Sequence, residues 1–163
     1  MSGIRAARES DLEALSALCL RSKAVWGYDE AFMAACVKEL TLRPEELTTT
    51  RIAMIDGPQG PVGVVQIRGE GAVADLLKLF VDPAAMGAGH GRRLFDWAVE
   101  AARVMGAGRM TIEADPDAAP FYRSMGAVDV GEAPSGSIPG RVLPLLELTL
   151  RAPGGCQTAR ETG

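Results

Sequence analysis

The chain has little with which to staple itself covalently or to hold a metal ion. Its 163 residues include three cysteines and one histidine. Cys19 and Cys36 lie within helical patterns and Cys156 near the end, with no paired spacing. That arrangement argues against a disulfide framework and against a metal site, and it implies free thiols in a reducing compartment. No apolar stretch approaches the length of a membrane span, and the N-terminus has no signal-peptide core. The expected setting is cytoplasmic, with no membrane partner. Basic residues are in slight deficit, 17 Lys and Arg against 21 Asp and Glu. Nothing therefore suggests a nucleic-acid footprint. Internal repeats are absent, and the length suits one domain with one substantial core.

What the chain does have is a glycine-rich turn between a strand pattern and a helix pattern. Asp75 to Pro83 reads as a buried strand that a proline ends. Residues 84–93 follow, with glycine at 87, 89 and 91. Leu94, Phe95, Ala98, Val99 and Ala102 then fall on one helical face. A glycine turn opening a helix leaves unpaired N–H groups at its positive end, an arrangement suited to phosphate. The turn lacks the Lys followed by Ser or Thr of a nucleotide P-loop, since Arg92 and Arg93 stand there. It also lacks the Gly-x-Gly-x-x-Gly spacing of a dinucleotide site. Glycine in a helix's first turn costs stability, so close approach of a bulky anionic ligand explains the three glycines better than a connector does.

The rest of the chain can be read in order. Ile4 to Ala7 is a short strand, and Ser10 or Asp11 is expected to cap a helix carrying Leu12, Leu15, Leu18 and Cys19 inward. A second helix starts after Asp29 as its cap, with Phe32, Met33, Cys36, Val37 and Leu40 inward. Glu45 to Leu47 forms a brief helical turn. Arg51 to Ile55 and Val62 to Ile67 are strands joined by a Gly/Pro hairpin turn, and the strand through Val81 completes a meander. Gly106 to Gly108 ends the helix that follows the glycine turn, and Arg109 to Ala114 is the next strand. Ala118 to Met125 is a short helix closed by Gly126. Val128 with Val130, and Leu143 to Leu150, form a last strand pair. Residues 152–163 lack any apolar period and are expected to be a disordered tail beyond a domain at 1–151.

Two blocks carry a family resemblance. The strand, the Gly89-x-Gly91 pair and the helix resemble the acyl-CoA pyrophosphate loop of the GCN5-related N-acetyltransferase (GNAT) superfamily. Its usual Gln/Arg-x-x-Gly-x-Gly/Ala lies over Met86 to Gly91, with Met86 departing at the first position. The strand at 109–114, followed by Asp117, Phe121, Tyr122, Gly126 and Ala127, is similar to the family's Asn-x-x-Ala-x-x-Phe-Tyr-x-x-x-Gly-Phe/Ala. Asp117 stands where Asn is usual. The implied fold is mixed α/β, a mostly antiparallel central sheet with a splayed parallel strand pair, flanked by helices. The implied activity is acetyl transfer from acetyl-CoA to a primary amine by direct attack, with no metal. The family is often homodimeric, which makes a homodimer an expectation here.

The resemblance also implies roles for residues. Met86, Gly87, Ala88, Gly89, His90, Gly91 and Arg92 form the CoA phosphate loop, His90 contributing its backbone N–H. Phe80 and Val81 end a strand that a bulge at this point splays from its neighbour, admitting pantetheine, and the Val81 N–H polarises the thioester carbonyl. Tyr122 protonates the departing thiolate. Asp117 and Phe121 lie on the CoA side, Phe121 as core. Glu113, with Asp75 and Glu70 behind it, is the candidate base, set against its reading as a solvated or structural carboxylate and against the water relays that many members of the family use instead. Trp26 and Tyr28 stand where the family walls its acceptor pocket. Arg141, in the loop before the last strand, is either a solvated loop arginine or a residue that holds a carboxylate; in the second case the acceptor would carry both an amine and an acid, as an amino acid does. A peptide acceptor and a non-catalytic acyl-CoA sensor remain open alternatives from sequence.

Overall fold

A computed structural model describes residues 3–150. The expected tail and Cys156 lie outside them. Strands β1 (Ile4–Ala6), β2 (Arg51–Gly57), β3 (Gly60–Glu70), β4 (Val73–Val81), β5 (Arg109–Glu113), β6 (Val128–Pro134) and β7 (Val142–Thr149) form one sheet. Their spatial order is β1-β2-β3-β4-β5-β7-β6. All pairings are antiparallel except β4 with β5. Helices α1 (Leu12–Ala24), α2 (Glu30–Leu40), α3 (Glu46–Thr49), α4 (His90–Val104) and α5 (Ala119–Ser124) flank it. This is the expected mixed α/β architecture in the expected order.

The middle of the sheet is buried on both sides, and side-chain alternation sorts its residues. Ala53, Ile55, Val65 and Ile67 join α4's Leu94, Phe95, Ala98 and Ala102 in one core. Ile52, Met54 and Val64 join α1's Leu12, Leu15, Leu18 and Cys19 and α2's Cys36 and Leu40 in the other. Asp29 caps α2 as expected, its carboxylate accepting from the Phe32 N–H at 2.8 Å. The cap expected for α1 is not made. A short 3-10 turn at Glu9–Asp11 precedes α1. The Asp11 carboxylate accepts instead from the Arg8 N–H at 2.8 Å and from the Arg5 guanidinium. Val37 also departs from expectation, since it is 45% exposed while Cys36 beside it is buried. Helix α2 packs against α1 through a narrow stripe, with only Cys36 and Leu40 of its residues buried.

One irregularity positions the site. β3 pairs Gln66 with Lys78 and Ile67 with Leu76, so Leu77 is an extra residue on β4. The bulge expected at Phe80 and Val81 therefore lies at Leu77. It reverses the side-chain parity of β4. Ala74 and Leu76 face the α4 core, whereas beyond the bulge Leu79 and Val81 face that side and Phe80 faces α1. The parallel ladder between β4 and β5 ends at the same level, at Leu76 and Ile112. From there β5 follows β7, the Ala114 N–H donating to the Pro144 carbonyl at 3.0 Å. Residues 77–81 are left without a strand partner on that side among the described residues, and the two strands diverge.

Candidate active site

The divergence opens into a cleft of about 690 Å³. Leu77 to Val81 form one lip, Ile112 to Asp115 the other, and the glycine turn with α5 closes one end. On the β4 lip, the Asp82 N–H donates to the Val62 carbonyl at 2.8 Å, back toward β3. Backbone groups alternate along an antiparallel strand, so the N–H groups of Leu79 and Val81 point away from β3 and into the gap.

The turn before α4 is built by local capping and by two glycines in the left-handed region. Asp82 accepts from the Ala84 N–H at 2.9 Å and from Arg21 at 2.6 Å, which starts the 3-10 turn Pro83–Ala85. Gly87 and Gly89 have φ of +88° and +85°, where a Cβ would be strained. Gly91 differs. It lies inside the first turn of α4 with no positive φ, and a Cβ there would meet the Phe121 ring at 3.6 Å, an ordinary contact. Backbone conformation thus explains two of the three glycines. The α4 ladder begins with the Arg93 N–H donating to the Gly89 carbonyl at 3.1 Å. The N–H groups of His90, Gly91 and Arg92 precede it and have no backbone partner among the described residues. Met86, Gly87, Gly89, His90, Gly91 and Arg92 all line the cleft; Ala88 lies within the turn without lining it.

Tyr122 lies across the cleft floor. It is 6% exposed, its ring centroid 5.9 Å from Phe95 and 5.3 Å from Phe121. Its hydroxyl has no hydrogen-bond partner among the described residues. Burial, with a smaller contribution from the negative charge of Asp115, pushes the phenol above its ordinary range. It stays protonated at neutral pH. Among the base candidates, Glu113 is exposed on the β5 lip and lines the cleft. Asp75 and Glu70 do not line it. Asp75 accepts from the Thr111 hydroxyl and is ion-paired with Arg68 at 3.1 Å.

The three residues expected at the acceptor end are divided. Trp26 is 46% exposed and lines the cleft. Tyr28 and Arg141 do not line it but sit beside it, gathered on Asp115. Counted back from Phe121, Asp115 and not Asp117 occupies the Asn position of the family pattern, and that spacing was the sequence signal for it. The Tyr28 hydroxyl donates to Asp115 at 2.9 Å and accepts from Arg141 at 3.0 Å. Lys23 pairs with Asp115 at 3.1 Å, both side chains largely buried, and Arg141 lies 3.6 Å from the same carboxylate. Burial alone would raise the Asp115 carboxyl, but hydrogen bonds from the Asp117 N–H, Tyr28 and Lys23 outweigh it and hold the group below its ordinary value. A depressed carboxylate pKa adds stability that is present above the unfolded value, about 3.9, and lost as pH falls through the folded one. Asp115→Asn is therefore expected to cost about 1–3 kcal/mol at pH 7. The deficit should shrink as urea melts are repeated down to pH 3. A deficit independent of pH would mean that shape, not charge, holds this junction.

The comparisons with known proteins agree with this geometry. Residues 48–126 match the acetyltransferase (GNAT) domain family model. A search of curated proteins by sequence gives no match. Among solved structures, a GCN5-related N-acetyltransferase from Rhodopseudomonas palustris superposes with a TM-score of 0.75 at 22% identity, over 92% of this chain and 96% of that one. The PaiA N-acetyltransferase of Thermoplasma acidophilum, solved with coenzyme A, gives 0.76 at 16% identity over 91% and 99%. The ribosomal-protein-S18-alanine N-acetyltransferase of Escherichia coli gives 0.68 at 18% over 98% and 99%. Residues 48–126 are thus an acetyltransferase (GNAT) domain, set in a chain that folds along nearly its whole length as these solved enzymes do.

Proposed function

We propose that the protein transfers an acetyl group from acetyl-CoA to the primary amine of a small, amino-acid-like molecule by direct attack. The observation that carries this reading is the gap between β4 and β5. It offers the free Val81 N–H on one lip, three helix N-terminal N–H groups at its end and a protonated phenol on its floor. These residues suit acetyl-CoA: unpaired strand amides match an extended amide chain, and the α4 N-terminus matches a pyrophosphate. The thioester would supply an activated acetyl group. The Val81 N–H is then available to hydrogen-bond its carbonyl oxygen and stabilise the charge that grows there. Tyr122 holds a proton for the departing sulfur. Glu113 is exposed and cleft-lining, a suitable receiver for the amine proton, directly or through water. Trp26 walls the acceptor end.

Calorimetric titration with acetyl-CoA, free CoA and ATP tests the donor site. Micromolar binding of acetyl-CoA without ATP binding is expected, followed by release of CoA thiol when amines are added. Failure to bind either CoA species would overturn the proposal.

A further inference from the structure

Three basic side chains line the cleft on the α1 side of the sheet: Lys23, Arg68 and Lys78. Two have an ion-pair partner, Lys23 in Asp115, which it shares with Arg141, and Arg68 in Asp75. Lys78 has no carboxylate within ion-pair distance among the described residues. Its ammonium donates instead to the Gln66 side-chain carbonyl at 3.2 Å.

Gln66 is fully buried in β3, and its orientation is fixed by what lies behind it. The Thr50 hydroxyl donates to the Glu46 carbonyl at 2.6 Å, so it must accept from the Gln66 amide nitrogen, 3.1 Å away. The amide oxygen is thereby turned to Lys78. This buried chain steers the lysine without neutralising it. A glutamate at the same place would supply a counter-charge, whereas glutamine leaves a full positive charge in a partly buried setting, where an unpaired ion is costly. At least one ammonium hydrogen is left for a ligand.

The position of that charge follows from the bulge. Lys78 has the parity of Phe80 and faces α1, opposite the side of the sheet that carries the glycine turn and α4. It is therefore turned away from where the phosphates of CoA would lie. Glu113, by alternation with buried Ile112, projects to the same face from the other lip. A positive and a negative group thus flank the mouth of the gap, just past the last paired residues, Leu76 and Ile112.

We infer that Lys78 is the anion-binding residue of the acceptor site and holds the carboxylate of an amino-acid-like acceptor, with Gln66 and Thr50 as its positioning residues. The inference rests on the acetyltransferase reading. It moves carboxylate recognition from Arg141, whose guanidinium is engaged with Tyr28 and Asp115, to a cation with no carboxylate within ion-pair distance among the described residues.

The test pairs alanine, glutamate, methionine and phenylalanine with their decarboxylated amines as acceptors, following CoA thiol release. Calorimetric titration of the same compounds without acetyl-CoA runs alongside. At least one acid should exceed its amine by about tenfold or more in kcat/KM, the size of one charge-assisted hydrogen bond. In Lys78→Met that preference should collapse to near unity, mainly through KM, and Lys78→Arg should keep part of it. Gln66→Glu, which leaves the lysine in place but pairs it internally, should lose the preference as well. Acetyl-CoA titration of each variant reports whether the fold and donor site are intact. A preference for the amines, or one unchanged in Lys78→Met, overturns the assignment while leaving the acetyltransferase reading standing. Absence of acetyl-CoA binding in the wild type overturns that reading instead. Amino-acid binding by calorimetry then decides Lys78 on its own, and equal binding by Lys78→Met, or none in the wild type, counts against it.

Discussion

Replacing Tyr122 by phenylalanine is expected to lower kcat by about 100-fold or more, the range typical of a positioned proton donor. Acetyl-CoA affinity should stay within about threefold, because one weak neutral contact at most is lost. The asymmetry follows from where the hydroxyl stands. The ring is packed against Phe95 and Phe121, so phenylalanine fills the same space. The hydroxyl has no partner among the described residues, and its removal strands no donor or acceptor; the stability change should stay below about 1 kcal/mol. What is lost is the proton. Burial and the nearby Asp115 charge hold the phenol above its ordinary range. The wild-type rate should therefore show no alkaline limb from this group up to about pH 10, the ordinary phenol value. Steady-state kinetics with any accepted amine, beside calorimetry with acetyl-CoA, reads both quantities. Turnover equal to wild type would remove the acid role and leave the sulfur to be protonated by solvent.

Much of the fold was legible because its signals are local. The short apolar runs of β2 and β3 bounded by Gly and Pro, the helical stripe of α4 and the Asp29 cap each depend on a few neighbouring residues. The bulge at Leu77 gave no such signal. Leu76, Leu77, Leu79 and Phe80 are all apolar, and a run without alternation cannot show where parity slips. The α1 cap failed for a related reason. Asp11 has two possible uses, and a distant ion pair among Arg5, Asp11 and Asp56 decided between them.

The candidate site divides along the same line. The glycine turn and the Phe121-Tyr122 pair are contiguous motifs, and a resemblance was enough to find them. The acceptor end is assembled from residues far apart in sequence. Asp115 joins positions 23, 28 and 141, and Gln66 joins 50 and 78. No spacing rule predicts such gatherings. A signal for Lys78 did exist: it is the single charge in the apolar run from Leu76 to Val81. Its meaning depended on knowing that the strand turns that residue into the cleft.

Truncating Phe95 to alanine should produce the largest loss of stability, and should damage catalysis from a distance. Phe95 is 1% exposed and lies in α4 one turn beyond the N–H groups proposed for phosphate. Its ring meets Phe121 edge-on at 6.2 Å and Tyr122 at 5.9 Å. Loss of a buried phenylalanine costs about 3–5 kcal/mol in transfer and cavity energy, a large share of the 5–15 kcal/mol typical of a domain. The melting temperature should fall by about 10 °C or more. The cavity would border Tyr122, whose ring would lose one of the two aromatic walls that aim it. Turnover per folded molecule should therefore drop at temperatures well below the melt. Acetyl-CoA affinity should drop less, since the backbone of the α4 N-terminus is held by its own hydrogen bonds. Phe95→Leu separates the two effects. It refills most of the volume, so it should recover most of the stability and, if the wall is what matters, most of the turnover. Stability lost in Phe95→Ala with undiminished turnover per folded molecule would show that Tyr122 is aimed by its own short helix. Its position would then depend on the Ala118 and Asp115 end of the turn, and not on the core beneath it.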